Sequence, residues 1–278
     1  EKDISERPSP LEQKKPSQIK ESHREETKPL KALTSQQDKS NAWQQEIDKA
    51  VRLLDSGNVQ EAIATLEQIL ASDPQNEQAL LELAMIYMID IKDNSQGQSL
   101  FERALRVNPS NKVALSELLS LYDETEQLEA GSQFLTSLYE ESNHNSTVAS
   151  ALGQIYMGQG RMQEALPYLE EGAKNGEVET AVDLADAYSE AGMTDKAIEA
   201  HDRAIETTKE KIAKGDLPGK QGEEILASIY IDKLSELQSQ SGGAQSDRTR
   251  ETLAELKKLA ESNPSIKNFV EHMDVHQF

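Results

Sequence analysis

The sequence predicts an all-α solenoid of stacked antiparallel helix pairs, and three observations carry that expectation. Tyrosines stand at Tyr87, Tyr122, Tyr156, Tyr188 and Tyr230, with a repeat of about 34 residues along most of the chain. Three residues before four of them sits a small residue, Ala84, Gly153, Ala185 or Ala227, where two helices can approach closely; Leu119 is the exception. Gly160 and Gly192 follow their tyrosines by four residues, as Gly57 follows Leu53, and each is followed five residues later by Ala165, Ala197 or Ala62. A glycine of this kind ends one helix in a left-handed turn, and the alanine belongs to the next helix. Neither helix of such a pair can bury its apolar stripe alone, so stacking must supply the core.

The elements follow in order. Residues 1–42 carry Pro8, Pro10, Pro16 and Pro29 with interspersed Lys, Glu, Ser and Gln, and are expected to be a disordered linker because they cannot bury enough surface to offset the entropy of ordering. The repeat domain is expected over residues 43–278. Its first helix stripe is Trp43, Ile47, Ala50, Leu53 and Leu54, and its units fall at about 43–76, 77–110, 111–144, 145–176 and 177–214. Asp73-Pro74 and Asn108-Pro109 end the first two units, with Asn143 in the corresponding place of the third. Units two and three are looser. Lys92-Asp93-Asn94 and Thr125-Glu126 stand at their turns, and Gly97 and Gly131 replace the second-helix alanine. A degenerate sixth unit spans 218–264, widened by Gln240-Ser241-Gly242-Gly243, and a short helix over 265–275 is expected to cap the open end.

Composition narrows the function. The 278 residues include 29 Lys plus Arg against 50 Asp plus Glu, a net charge of −21. Residues 1–42 hold 9 basic and 8 acidic side chains, so the acidity belongs to the repeats. Such a polyanion is repelled by phosphate backbones and anionic lipid, which argues against nucleic-acid binding and against direct membrane-surface binding by the folded domain. With no Cys there is no disulfide framework, thiolate metal site or thiol nucleophile. The sequence opens on Glu1 rather than Met, and an upstream membrane anchor, cleaved signal or initiator region is the expectation, with residues 1–42 as spacer. That expectation favours a tethered, periplasmic bacterial setting over a cytoplasmic one.

The tyrosine, small-residue, glycine and alanine spacings resemble the tetratricopeptide repeat family across about three quarters of the chain. The resemblance implies a superhelical solenoid of five to six repeats with a concave groove lined by the first helix of each pair, and binding without catalysis. Expected groove residues are Ile47 and Val51 in unit one and Leu81, Met85, Met88 and Ile89 in unit two. They are followed by Asp123 and Glu124, Gln154 and Met157, Asp186 and Glu190, and Glu224 and Asp232. The groove would run from apolar to acidic, suiting a protein or peptide with apolar and basic residues. One subgroup of the family binds chaperone C-terminal carboxylates through Lys, Arg and Asn; the matching places here hold Ile47, Val51, Glu82, Val113 and Glu117, which supply neither cation nor amide.

No catalytic residue and no cofactor is expected. His272 and His276 share helical spacing but lack the intervening Glu of a metalloprotease, and metal binding is the weakest of the alternatives. His201 occupies a place where other units carry Leu66, Phe101, Leu135 and Leu169, and reads as a packed, hydrogen-bonded core histidine. The function expected is a protein-binding scaffold, an adaptor or assembly factor of a bacterial envelope, pilus or secretion complex. A self-associating structural component and a cytosolic co-chaperone-type adaptor without a carboxylate clamp are the alternatives; the oligomeric state stays open.

Overall fold

The computed structural model describes residues 36–241 and 246–272, and the expected disordered linker lies outside them up to residue 35. Thirteen α-helices run in chain order among the described residues. They pair as α1 (Gln36–Asp55) with α2 (Val59–Ser72), α3 (Glu77–Ile86) with α4 (Asn94–Val107), and α5 (Lys112–Glu124) with α6 (Leu128–Glu141). The pairs α7 (Ser146–Gly158) with α8 (Met162–Gly172), α9 (Val178–Glu190) with α10 (Thr194–Lys214), and α11 (Gly219–Ser241) with α12 (Asp247–Ser262) follow, and α13 (Pro264–His272) closes the end. The architecture is the expected solenoid of helix pairs. α13 packs on both α11 and α12, as a cap would.

Each pair is stitched by local chemistry. Asn76, Asn111 and Asn145 cap α3, α5 and α7, their side-chain oxygens accepting from backbone N–H groups of the first turn. Asn108 and Asn111 both donate to the Glu77 carboxylate, at 2.8 and 2.6 Å, tying the end of unit two to its start. The core is aliphatic and small. Ala62, Leu66, Leu80, Ala84, Phe101, Ala104, Tyr122 and Leu135 are fully covered, and burial of this kind gives roughly 25 cal/mol per Å² of apolar area.

Units two and three keep the turn geometry without the residue that favours it. Gly57, Gly160 and Gly192 have φ of 77°, 70° and 71°, and at the matching places Lys92 and Glu126 are held at 62° and 56°. A side chain there costs about 1–2 kcal/mol. Unit two also carries one residue more, which the backbone absorbs as a π-helical turn, Tyr87–Ile91, continuing α3. Glu126→Gly is therefore expected to stabilise the fold by about 1 kcal/mol and raise the melting temperature by roughly 2–4 °C. A melting temperature that stays put or falls would show that the Glu126 turn is not strained.

The small-residue exchange in the same two units has a steric cause. A Cβ on Gly131 would stand 2.6 Å from the Tyr122 ring, and one on Gly97 would stand 2.5 Å from Met88 Cγ. The bulk lost from the second helix is taken up by Tyr122 and Met88 of the first, whereas Leu119, at the usual small position, faces the concave side. Two boundaries differ from expectation. α1 begins at Gln36, within the expected linker, because Gln36–Ala42 extends a helix without adding an apolar stripe. The cap runs from Pro264 to His272, and residues 273–278, including His276, lie outside the described residues.

His201 is buried as expected, but its Nδ1 has no hydrogen-bond partner among the described residues. Burial pushes its pKa down, which favours the neutral ring. No described helix is long and apolar enough to cross a membrane, and no described group of three or more His, Asp or Glu could hold a metal ion.

Candidate functional site

The first helices α1, α3, α5, α7, α9 and α11 lie side by side, and their shared face changes character along the solenoid. At the N-terminal end it is apolar. Val51 is 37 % exposed and Ile89 53 % exposed, while Leu81 and Met85 are half-buried against the core edge. Two residues expected there are elsewhere. Ile47 is 2 % exposed and packs inside the core, because α1 turns Val51 rather than Ile47 outward. Met88 faces α4, filling the room that Gly97 leaves.

At the centre, α5, α7 and α9 enclose a concave cavity of about 510 Å³. Its floor includes Ser116, Ser120, Ser150, Ala151 and Gln154, with Asp123 at one rim and Lys112, Glu177 and Glu179 at the other. Lys112 and Glu177 form an ion pair of 2.6 Å across that rim, and Lys211 reaches Glu177 from α10 at 3.3 Å. Burial acts to raise the Glu177 pKa, but Lys112 and Lys211 hold it below the usual carboxylate range. Thr180 donates to Ser150 at 3.0 Å, and the Gln154 amide donates to Asp183 at 2.7 Å. These bonds and the serines make part of the floor polar, while Leu115, Leu119, Leu128 and Ile155 line the rest.

Of the expected groove residues only Asp123 and Gln154 line this cavity. Glu124 is exposed outside it, and Met157 packs sideways against the cluster built by α8, α9 and α10. Ser116, Ser120 and Ser150 were not expected. They carry no hydrophobic periodicity, yet they occupy the places that Leu81 and Met85 hold in unit two, and carrying that register forward along the repeats finds them.

At the C-terminal end the face is acidic. Asp183, Asp186 and Glu190 of α9 stand near Asp232 and Glu236 of α11, close enough for each to raise the Asp186 pKa. Burial is the larger cause, and together they push Asp186 up to about 6. Asp232 is raised by burial against a weaker lowering from Ser228, and Asp183 by burial against the Gln154 hydrogen bond. Glu236 accepts from Ser189, and Glu224 is exposed on α11. Some acids on other faces are ion-paired, as in Glu170 with Lys196, Glu255 with Lys209, and Asp202 with Lys233 and Arg248. Among the described residues, Asp183, Asp186, Glu190 and Asp232 have no ion pair with Lys or Arg.

Comparison with known proteins agrees with this architecture. A tetratricopeptide repeat family model matches residues 23–210. The TPR repeat-containing protein YpiA of Bacillus subtilis is 25 % identical over 154 residues, covering 54 % of this chain and 36 % of YpiA. The chain thus spans little more than a third of that relative's length. Among solved structures, a crystal structure of MamA matches with a TM-score of 0.44 at 22 % identity, covering 63 % of this chain and 96 % of that one. PilF of Pseudomonas aeruginosa matches with a TM-score of 0.46 at 18 % identity, covering 84 % and 98 %. Since the family model spans more than half of the sequence and the helix pairs beneath it stack as the spacing requires, the chain belongs to the tetratricopeptide repeat family.

Proposed function

We propose that this protein is a non-enzymatic adaptor or assembly factor that holds a segment of a partner protein along its concave face. Val51, Leu81, Met85 and Ile89 would anchor apolar side chains, the cavity lined by Ser116, Ser120, Ser150 and Gln154 together with Leu115 and Leu119 would admit the segment, and Asp186, Glu190 and Asp232 would set the register of Lys or Arg. Tetratricopeptide repeat proteins are in general non-catalytic interaction modules, which supports the scaffold part of this reading. One observation carries the rest: the carboxylates of α9 and α11 are crowded together, partly desolvated and without an ion pair among the described residues. A basic partner would relieve that crowding. We further read the setting as a bacterial envelope, pilus or secretion assembly, a reading that the Pro-, Lys- and Glu-rich composition ahead of the repeats supports.

The test uses a labelled synthetic peptide with two Leu at one end and three Lys at the other, titrated with the full chain by fluorescence anisotropy. Binding is expected, weakened on the order of tenfold or more by Met85→Glu and by Ser120→Trp, which fills the cavity from an exposed position. Circular dichroism must show both variants folded. Equal binding by the wild type and the folded Ser120→Trp variant would sink the groove reading.

A further inference from the structure

The apolar end of the concave face is left open by the described elements. Ile89 and Ile91 project from the π-helical turn at 53 % and 38 % exposure, and Val51 stands on the neighbouring helix. Glu82 shares the α3 face with Met85 by helical spacing. It is half-buried, and no ion pair or hydrogen bond to its carboxylate is present among the described residues; burial alone raises its pKa. This surface needs an occupant with apolar side chains and a cation.

Such a segment is tied to the edge of that face. Thirty-five residues precede α1, and α1 runs parallel to α3, because each is antiparallel to α2. At about 1.5 Å per helical residue, the level of Leu81 lies roughly 16 Å along α1 from Gln36 and the level of Ile89 roughly 28 Å. An extended chain of about 3.3 Å per residue covers those spans in five to nine residues. That reach is long enough for Leu30 to meet the level of Leu81 and Met85 and for Lys31 to meet that of Glu82, with length to spare between Ile19 and the level of Ile89. Within residues 19–33 the basic Lys20, Arg24, Lys28 and Lys31 stand beside the acidic Glu21, Glu25 and Glu26, and the last six residues, with Lys28 and Lys31, carry no acid, ahead of a repeat domain that carries the net negative charge.

We propose that residues 19–33 of this chain fold back over units one and two and occupy the apolar end of the concave face as an internal competitor for the partner. The inference rests on the reading of that face as a binding surface. A tether this short gives an effective concentration on the order of 1 mM, so even a contact with an intrinsic Kd of about 100 µM is roughly nine-tenths occupied. A partner must then displace the segment, and its affinity falls about tenfold in proportion.

The absence of cysteine makes disulfide trapping unambiguous. In the full chain, Thr27→Cys paired with Asp90→Cys is expected to give an intrachain disulfide at a rate independent of protein concentration. Adding Met85→Glu should slow it on the order of tenfold, as should Ile19→Glu with Leu30→Glu, which precede the first repeat in the sequence and so keep the test open should Met85→Glu fail to fold. Interchain disulfides as the main product would overturn the proposal in favour of a second copy. A trapping rate that Ile19→Glu with Leu30→Glu leaves unchanged would overturn it too. The Leu- and Lys-bearing peptide added in trans is the separate arm: if it binds while the tether shows no such preference, this inference fails and the groove reading stands.

Discussion

Tyr122→Ala is expected to remove about 3–5 kcal/mol from the middle of the solenoid and to split its unfolding into more than one transition. Tyr122 is fully covered, its ring fills the space over Gly131, and its hydroxyl donates to the Glu102 carboxylate at 2.9 Å. Burial, reinforced by Glu102, keeps that hydroxyl protonated well beyond neutral pH. Truncation leaves a void between α5 and α6 that neither helix can fill, since Gly131 offers no side chain. Each repeat depends chiefly on its neighbours, so weakening unit three uncouples units one and two from the remainder. Tyr122→Phe keeps the ring, and Gln98 still donates to Glu102 at 2.9 Å, so about 1 kcal/mol is the expected cost. A thermal melt followed by circular dichroism separates the two. If Tyr122→Ala melts within about 2 °C of the wild type, the ring does not hold the unit together.

That tyrosine belongs to the part of the molecule that the sequence makes legible. Its spacing from Tyr87 and Tyr156 reflects a packing rule repeated in each unit, so the periodicity survives even where local residues depart from it. The turns at Lys92 and Glu126 were harder to read. Their left-handed backbone is enforced by the helices on either side, and no glycine announces it. The π-helical turn is a one-residue insertion, visible only once α3 and α5 fix the length of unit two. Ile47 and Val51 are both apolar and one helical turn apart, so hydrophobicity cannot say which of them faces outward. Ser116, Ser120 and Ser150 were silent for the opposite reason: a small polar floor has no periodic signal, and only the register of the other units points to it. The first turns of α1 share that silence, because the sequence from Gln36 to Asn41 holds no apolar residue.

The acidic end gives a pH response whose sign follows from Asp186. Its pKa rises on folding from an ordinary 3.8 to about 6, so the native protein binds this proton more tightly than the unfolded chain does. The contribution of Asp186 is therefore most favourable below about pH 4, declines as pH rises through 6, and leaves the ionised group a liability at pH 7.5. Asp232 and Asp183 shift in the same direction. Asp186→Asn should stabilise the protein at pH 7.5 by about 1 kcal/mol after allowance for solvent screening, roughly 2–4 °C in melting temperature, with the gain vanishing near pH 4. A cationic segment changes the outcome for binding. It favours the ionised form and would return the Asp186 pKa toward 4, so acidification from pH 7.5 to 5 should weaken the Lys-bearing peptide about tenfold through this carboxylate alone. Asp186→Asn should bind more weakly at pH 7.5 and respond less to acid. A variant that gains stability at pH 7.5 yet keeps wild-type affinity and pH dependence would place the basic end of the peptide elsewhere, whereas paired loss of affinity and gain of stability is what a site strained by its own unneutralised charge must give.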